Sequence, residues 1–227
     1  MPNRYTLFDI GELKDTFALP LGVPAGVKKS YNISPTQTVP AIRIEDGQRV
    51  AERMKWGFVP KNAKDMNSVF RYKTHHIPSG AVLTKKSWQD VVRTQRCLIP
   101  ANGFYEWRNA PEGKRAYYLR LAERPLFAFA GVYGEWTDPE GVTHGVCAAI
   151  TTRSDSQSDQ IPSILPVIVD PADEDDWLNP EVSDTGTLFK ILRPLEPEDF
   201  IVTRVGDAVH SVKPNSADLI LPFHRKD

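Results

Sequence analysis

The sequence predicts an α+β fold, a single domain over residues 1–227 built on a curved, mainly antiparallel, barrel-like sheet with a few peripheral helices. Three observations lead there. Strand-length runs of β-branched and aromatic residues outnumber helical patterns. Turn signals separate those runs. Nineteen prolines are spread along the whole chain with no Gly/Ser linker and no repeat, which argues against a domain boundary.

Taken in order, residues 38–44 and 50–56 read as two strands flanking Glu45-Asp46-Gly47-Gln48, where Asp-Gly is a strong hairpin cue. Residues 117–121, 126–133 and 142–152 repeat the strand pattern. A turn at Asp138-Pro139-Glu140-Gly141 lies between the last two runs, and together they suggest an antiparallel meander. Residues 87–94 place Trp88, Val91 and Val92 on one helical face, and Asp170-Pro171 caps a short helix carrying Trp177 and Leu178. A third helix is expected between residues 183 and 192.

Apolar residues make up 41% of the 227 and charged residues 25%, an ordinary globular balance that supports one sizeable core. No apolar run approaches the roughly 18 residues a membrane span needs. The polar start, Met1 to Tyr5, is not a signal peptide, so a cytoplasmic protein is expected, one associated with the nucleoid when bound to DNA. Cys97 and Cys147 both sit in apolar runs and are expected to be buried, reduced thiols. A net charge of -1 excludes a strongly basic nucleic-acid binder, so any DNA site must be a local patch.

Four features could carry chemistry. Met1-Pro2 predicts removal of the initiator methionine. That leaves either a plain terminus or a proline amine titrating near ~8, close enough to neutrality to act as a nucleophile. Glu106, flanked by aromatics in Gly103-Phe104-Tyr105-Glu106-Trp107, is either a general acid/base with a raised pKa or a solvent-facing strand residue. Arg71, Lys73, His75 and His76, with Lys61, Lys64 and Arg4, either line phosphates or are simply solvated. The adjacent His75 and His76 lack partners at metal-ligand spacing, so no metal and no cofactor are expected.

The ordered motifs Met1-Pro2-Asn3-Arg4-Tyr5, Tyr31-Asn32-Ile33-Ser34-Pro35-Thr36-Gln37, Lys55-Trp56-Gly57-Phe58-Val59-Pro60 and Arg96-Cys97-Leu98-Ile99-Pro100-Ala101-Asn102-Gly103-Phe104-Tyr105-Glu106-Trp107 run in sequence along the chain. Ala149-Ile150-Thr151-Thr152 and Ala217-Asp218-Leu219-Ile220-Leu221-Pro222 continue the order. Together they resemble the SOS-response-associated peptidase family of abasic-site-processing proteins, over nearly the whole length. The resemblance implies single-stranded or junction DNA as partner, with DNA contacts at Arg4, Asn32, Pro35, Arg71, Trp107 and Thr151, and catalytic roles at Pro2 and Glu106.

In that family the residue after the initiator methionine is a cysteine whose amine and thiol close a stable thiazolidine on the abasic aldehyde. Here it is Pro2, and the family's helper histidine falls on Pro162. The Asn-Ala-Arg-x-Glu-Thr motif matches residues 69–74, keeping Arg71 and losing the asparagine, for which Asn67 is a displaced substitute. Aromatics that often follow the Trp-Gly stretch are replaced by Lys61-Asn62-Ala63. The resemblance therefore implies a DNA-damage-response protein binding single-stranded DNA at abasic sites, with its covalent crosslinking lost or altered. The alternatives are an abasic-site lyase working through a Pro2 iminium and Glu106, and a peptidase as the family name suggests.

Overall fold

The structure is a computed structural model, and it describes residues 3–59, 63–154 and 161–224. The chain opens with β1 (Tyr5–Leu7) and α1 (Leu13–Thr16), then β2 (Ser30–Ile33), β3 (Thr38–Glu45) and β4 (Gln48–Trp56). Next come α2 (Ser68–Tyr72), β5 (His76–Pro78), α3 (Ser79–Thr84) and α4 (Lys86–Thr94). The long strands β6 (Arg96–Ala101), β7 (Gly103–Ala110), β8 (Gly113–Leu121), β9 (Phe127–Thr137) and β10 (Thr143–Arg153) follow. The chain continues with β11 (Ile164–Pro166), α5 (Glu174–Leu178), α6 (Thr185–Ile191) and β12 (Phe200–Arg204).

The strands form two sheets. One has the order β12-β8-β7-β1-β2. The other runs β11-β10-β4-β3-β6-β9, and a further β9–β10 pairing closes β10-β4-β3-β6-β9 into a five-stranded barrel, with β5 added alongside β10. The α+β class and the curved, mainly antiparallel, barrel-like sheet are as the sequence predicts. The β3–β4 hairpin also forms as expected, with Asp46 and Gly47 both left-handed (φ 49° and 76°), the geometry a two-residue type I′ turn requires.

The expected meander is corrected. β8 pairs with β7 and β12 in the first sheet, whereas β9 pairs with β6 and β10 in the second, so of the three strands expected in the meander only β9 and β10 are neighbours. The connection between β8 and β9 passes through Pro125, which has no N–H for a hairpin ladder and whose carbonyl is held by the Asn102 amide at 2.7 Å. β10 also pairs in parallel with β4 and β5, a non-local choice that alternation of apolar residues does not encode.

The three expected helices are present, at α4, α5 and α6. Asp170 accepts from the Ala172 N–H at 3.0 Å and starts a 3-10 turn leading into α5, where Trp177 is fully buried. The core seats the N-terminal strand firmly: the Tyr5 ring meets Trp56 edge-on at 4.9 Å and Phe129 at 5.6 Å. Gly103 starts β7 where a Cβ would fall 2.4 Å from the Tyr118 ring and 2.6 Å from the Leu119 carbonyl, so no larger residue fits without displacing the strand that carries Glu106. Gly57 (φ 140°) lets the turn after β4 press on α2, since a Cβ there would lie 2.4 Å from Val69.

Candidate functional site

The site is built where β1 meets β7. Tyr5 pairs with Phe104 and Thr6 with Gly103, and the Tyr105 N–H donates to the Arg4 carbonyl at 3.0 Å. This antiparallel register sets Asn3 opposite Glu106. Glu106 is half-buried, and burial holds its carboxyl above the ordinary carboxylate range, against the opposing pull of Arg108 and the Trp107 N–H. A carboxyl raised in this way can give and take a proton nearer neutral pH.

Arg4 leads into a fixed unit. Its Nη1 donates to Asn32 Oδ1 at 2.6 Å, to the Val209 carbonyl at 3.1 Å and to the Ser211 carbonyl at 3.2 Å, while its guanidinium lies 5.9 Å from the centre of the Trp107 ring. Asn32 is only 2% exposed, and its amide nitrogen donates to the Ser211 and Pro214 carbonyls. Asn32 therefore clamps Arg4 to the C-terminal segment, and Arg4 and Trp107 are the members of the unit that reach the surface.

Beside this unit lies a cavity of about 350 Å³ lined by Asn3, Arg4, Pro35, Phe70, Lys73, His75 and His76. α2 delivers Phe70, 52% exposed, and ends at Lys73, whose left-handed backbone (φ 54°) turns the chain into β5. Arg71 on α2 and Asn67, just before the helix, are exposed and do not line the cavity. Phe70 was not singled out by sequence; an aromatic residue between two basic stretches was the available signal.

His75 and His76 are buried, not solvated. His75 Nε2 sits 2.8 Å from Asn3 Oδ1, the two rings meet edge-on at 4.4 Å, and neither Nδ1 has a hydrogen-bond partner among the described residues. Burial first, and Lys73 with it, pushes His75 down to about 3 and His76 down to about 4. Both are neutral imidazoles at pH 7, and the expectation that they join a cationic phosphate-lining cluster is corrected by this desolvation.

A pH dependence follows. The unfolded chain protonates these histidines near 6.5 and the folded chain only near 3 to 4, so between those values the unfolded state binds more protons. Stability is fully present above about pH 6.5 and falls as pH drops toward 4. The urea midpoint is expected to decrease from pH 7 to pH 5 in the wild type and to decrease less in His76→Gln; equal slopes for the two proteins would contradict this origin.

Of the remaining sequence-predicted residues, Thr151 is 1% exposed on β10, where it pairs with Pro78 and lines a neighbouring groove. Pro2, Lys61 and Asn62 lie outside the described residues. Cys97 and Cys147 are fully buried, and burial pushes both thiols well above their ordinary range, so neither is an available nucleophile. Among the described residues no cluster of three or more His, Cys, Asp or Glu side chains is arranged to hold a metal, and no helix is long and apolar enough to cross a membrane.

Comparison with known proteins places this arrangement in context. The model of the SOS response associated peptidase (SRAP) family matches residues 1–212. The abasic site processing protein YoqW of Bacillus subtilis is 33% identical, covering 97% of this chain and 99% of its own. YoaM of the same organism, also an abasic site processing protein, is 31% identical over 97% of each chain. A crystal structure of a Bacteroides thetaiotaomicron protein superposes with a TM-score of 0.84 at 21% identity, covering 98% of this chain and 100% of that one.

Proposed function

The chain belongs to the SOS response associated peptidase family, and from that premise we propose that it binds single-stranded DNA at abasic sites, with the relatives' covalent chemistry lost or altered because Pro2 stands at the nucleophile position. The observation that carries this proposal is the convergence of the N-terminal strand, the raised Glu106 carboxyl and the cavity beside Arg4 and Lys73. Phe70 and Trp107 offer faces for stacking bases, and Arg4 and Lys73 offer charge for phosphates. Arg71, exposed on α2, offers further charge to the strand outside the cavity.

The test is incubation of the purified protein with an abasic single-stranded oligonucleotide, an undamaged one and a duplex, with and without borohydride. Binding is expected to favour the single strand and to weaken steeply with salt, and no heat-stable adduct should form without borohydride, because proline has no thiol to close a thiazolidine. A heat-stable adduct with the untreated protein, or equal affinity for duplex, would refute this.

The raised Glu106 carboxyl favours a second possibility, an abasic-site lyase. The Pro2 amine, freed by loss of Met1, adds to the sugar aldehyde, and Glu106 takes the proton from the adduct's nitrogen and passes it to the hydroxyl, which leaves as water to give an iminium. Glu106 as carboxylate takes the C2′ proton, the electron pair moves toward C3′, and the 3′ phosphate leaves; water then hydrolyses the iminium and frees the amine. Borohydride delivers hydride to the iminium and fixes the link as a tertiary amine. The peptidase alternative has little support, since both thiols are buried and an amine of this kind is a poor nucleophile toward amides.

A further inference from the structure

A second groove opens next to the cavity, on the other side of β5. Strand periodicity puts His76 and Pro78 on the same face while Ile77, 2% exposed, turns into the core. His76 lines the first cavity and Pro78, two residues on and about 7 Å along the strand, lines the second groove, so the two adjoin at β5. The groove, about 560 Å³, is bordered by Arg153 at the end of β10 and by Phe189 and Arg193 from α6 and its exit.

Three features there are not explained by the fold. Phe189 is 64% exposed, although its neighbours on α6, Leu188 and Ile191, are buried. Thr151, 1% exposed, lines the groove, and its Oγ1 has no hydrogen-bond partner among the described residues. Arg153 and Arg193 place positive charge at the groove; Arg193 donates to the Lys190 carbonyl at 3.1 Å, and its ion pair with Asp173 is a long 3.4 Å. An exposed ring, two guanidinium groups and a buried hydroxyl match a nucleotide: a base to stack, a phosphate to neutralise and a sugar or phosphate oxygen to bond.

We propose that this groove is a second nucleotide subsite for the same single strand, its base stacked on Phe189 and its phosphate held between Arg153 and Arg193. The subsite rests on the single-strand function proposed above and adds a direction to it: the strand crosses β5 from the His76 cavity toward α6.

The test measures binding of labelled oligothymidylates of about four and about ten nucleotides, lengths that fill one site or span both. Wild-type protein should bind the longer strand more tightly, and Phe189→Ala should lose that gain, weakening the long strand by about 5- to 100-fold while leaving the short one unchanged. Arg193→Ala should lower the salt sensitivity of long-strand binding. A Phe189→Ala protein that binds the long strand as tightly as wild type overturns the subsite. A wild type that binds the short strand with no gain from length also overturns the subsite, but leaves the single-strand function standing. Failure to bind either length removes both. Should Phe189→Ala instead dissociate an oligomer with DNA affinity unchanged, the α6 face belongs to self-association and the subsite is refuted.

Discussion

Glu106→Gln is expected to slow borohydride trapping on abasic DNA, and any strand cleavage, by ~10²- to 10⁴-fold, the span a proton-transfer group contributes. The substitution keeps the size and shape of the side chain on β7 while removing its charge and its ability to exchange a proton. DNA affinity should therefore stay within about twofold. Because burial raises the Glu106 carboxyl above its ordinary value, the wild-type rate should climb through that raised pKa as the carboxylate base forms. That limb should disappear in Glu106→Gln. An unchanged trapping rate would remove Glu106 from the chemistry, and absence of trapping in a wild type that binds DNA would leave the non-catalytic binder.

The second large effect concerns stability. Arg96 is 2% exposed and donates to the Val92 carbonyl at 2.6 Å, the Arg93 carbonyl at 2.7 Å and the Val182 carbonyl at 3.0 Å, and also to the carbonyls of Trp177 and Asn179. Four of these acceptors lie at the C-terminal ends of α4 and α5, where carbonyls lack partners within the helix and the helix dipole is negative, and the fifth, Val182, lies in the segment between α5 and α6. One guanidinium thus closes two helix ends and ties them to the start of the barrel strand β6, with its face 5.6 Å from the Trp177 ring. Burial pulls its pKa down to about 10, so it remains charged at neutral pH. Arg96→Met fills similar volume but strands the carbonyls, and is expected to cost about 3 to 5 kcal/mol in denaturant unfolding. That is a large share of a typical domain's stability. A loss under about 1 kcal/mol would mean that water or relaxation replaces these bonds.

Much of the fold was legible because its signals are local. The Asp46-Gly47 turn needs left-handed backbone that few residue pairs supply, α4 carries its apolar face in nearby residues, and the turn into α5 carries its Asp170 cap. Glu106 could be named as a candidate because aromatic neighbours in sequence foretell partial desolvation. By itself the sequence determined the α+β class, the hairpin, the helices and the motif order that marks the family. The tertiary structure alone decided which sheet β8 and β9 join, the neutral state of His75 and His76, and the hold of Asn32 on Arg4. It also revealed Phe70 and Phe189 as exposed faces beside cavities on either side of β5. Each of these depends on contacts between segments far apart in the chain. Burial, desolvation and strand partnership are properties of such contacts, and no local pattern of residue types encodes them.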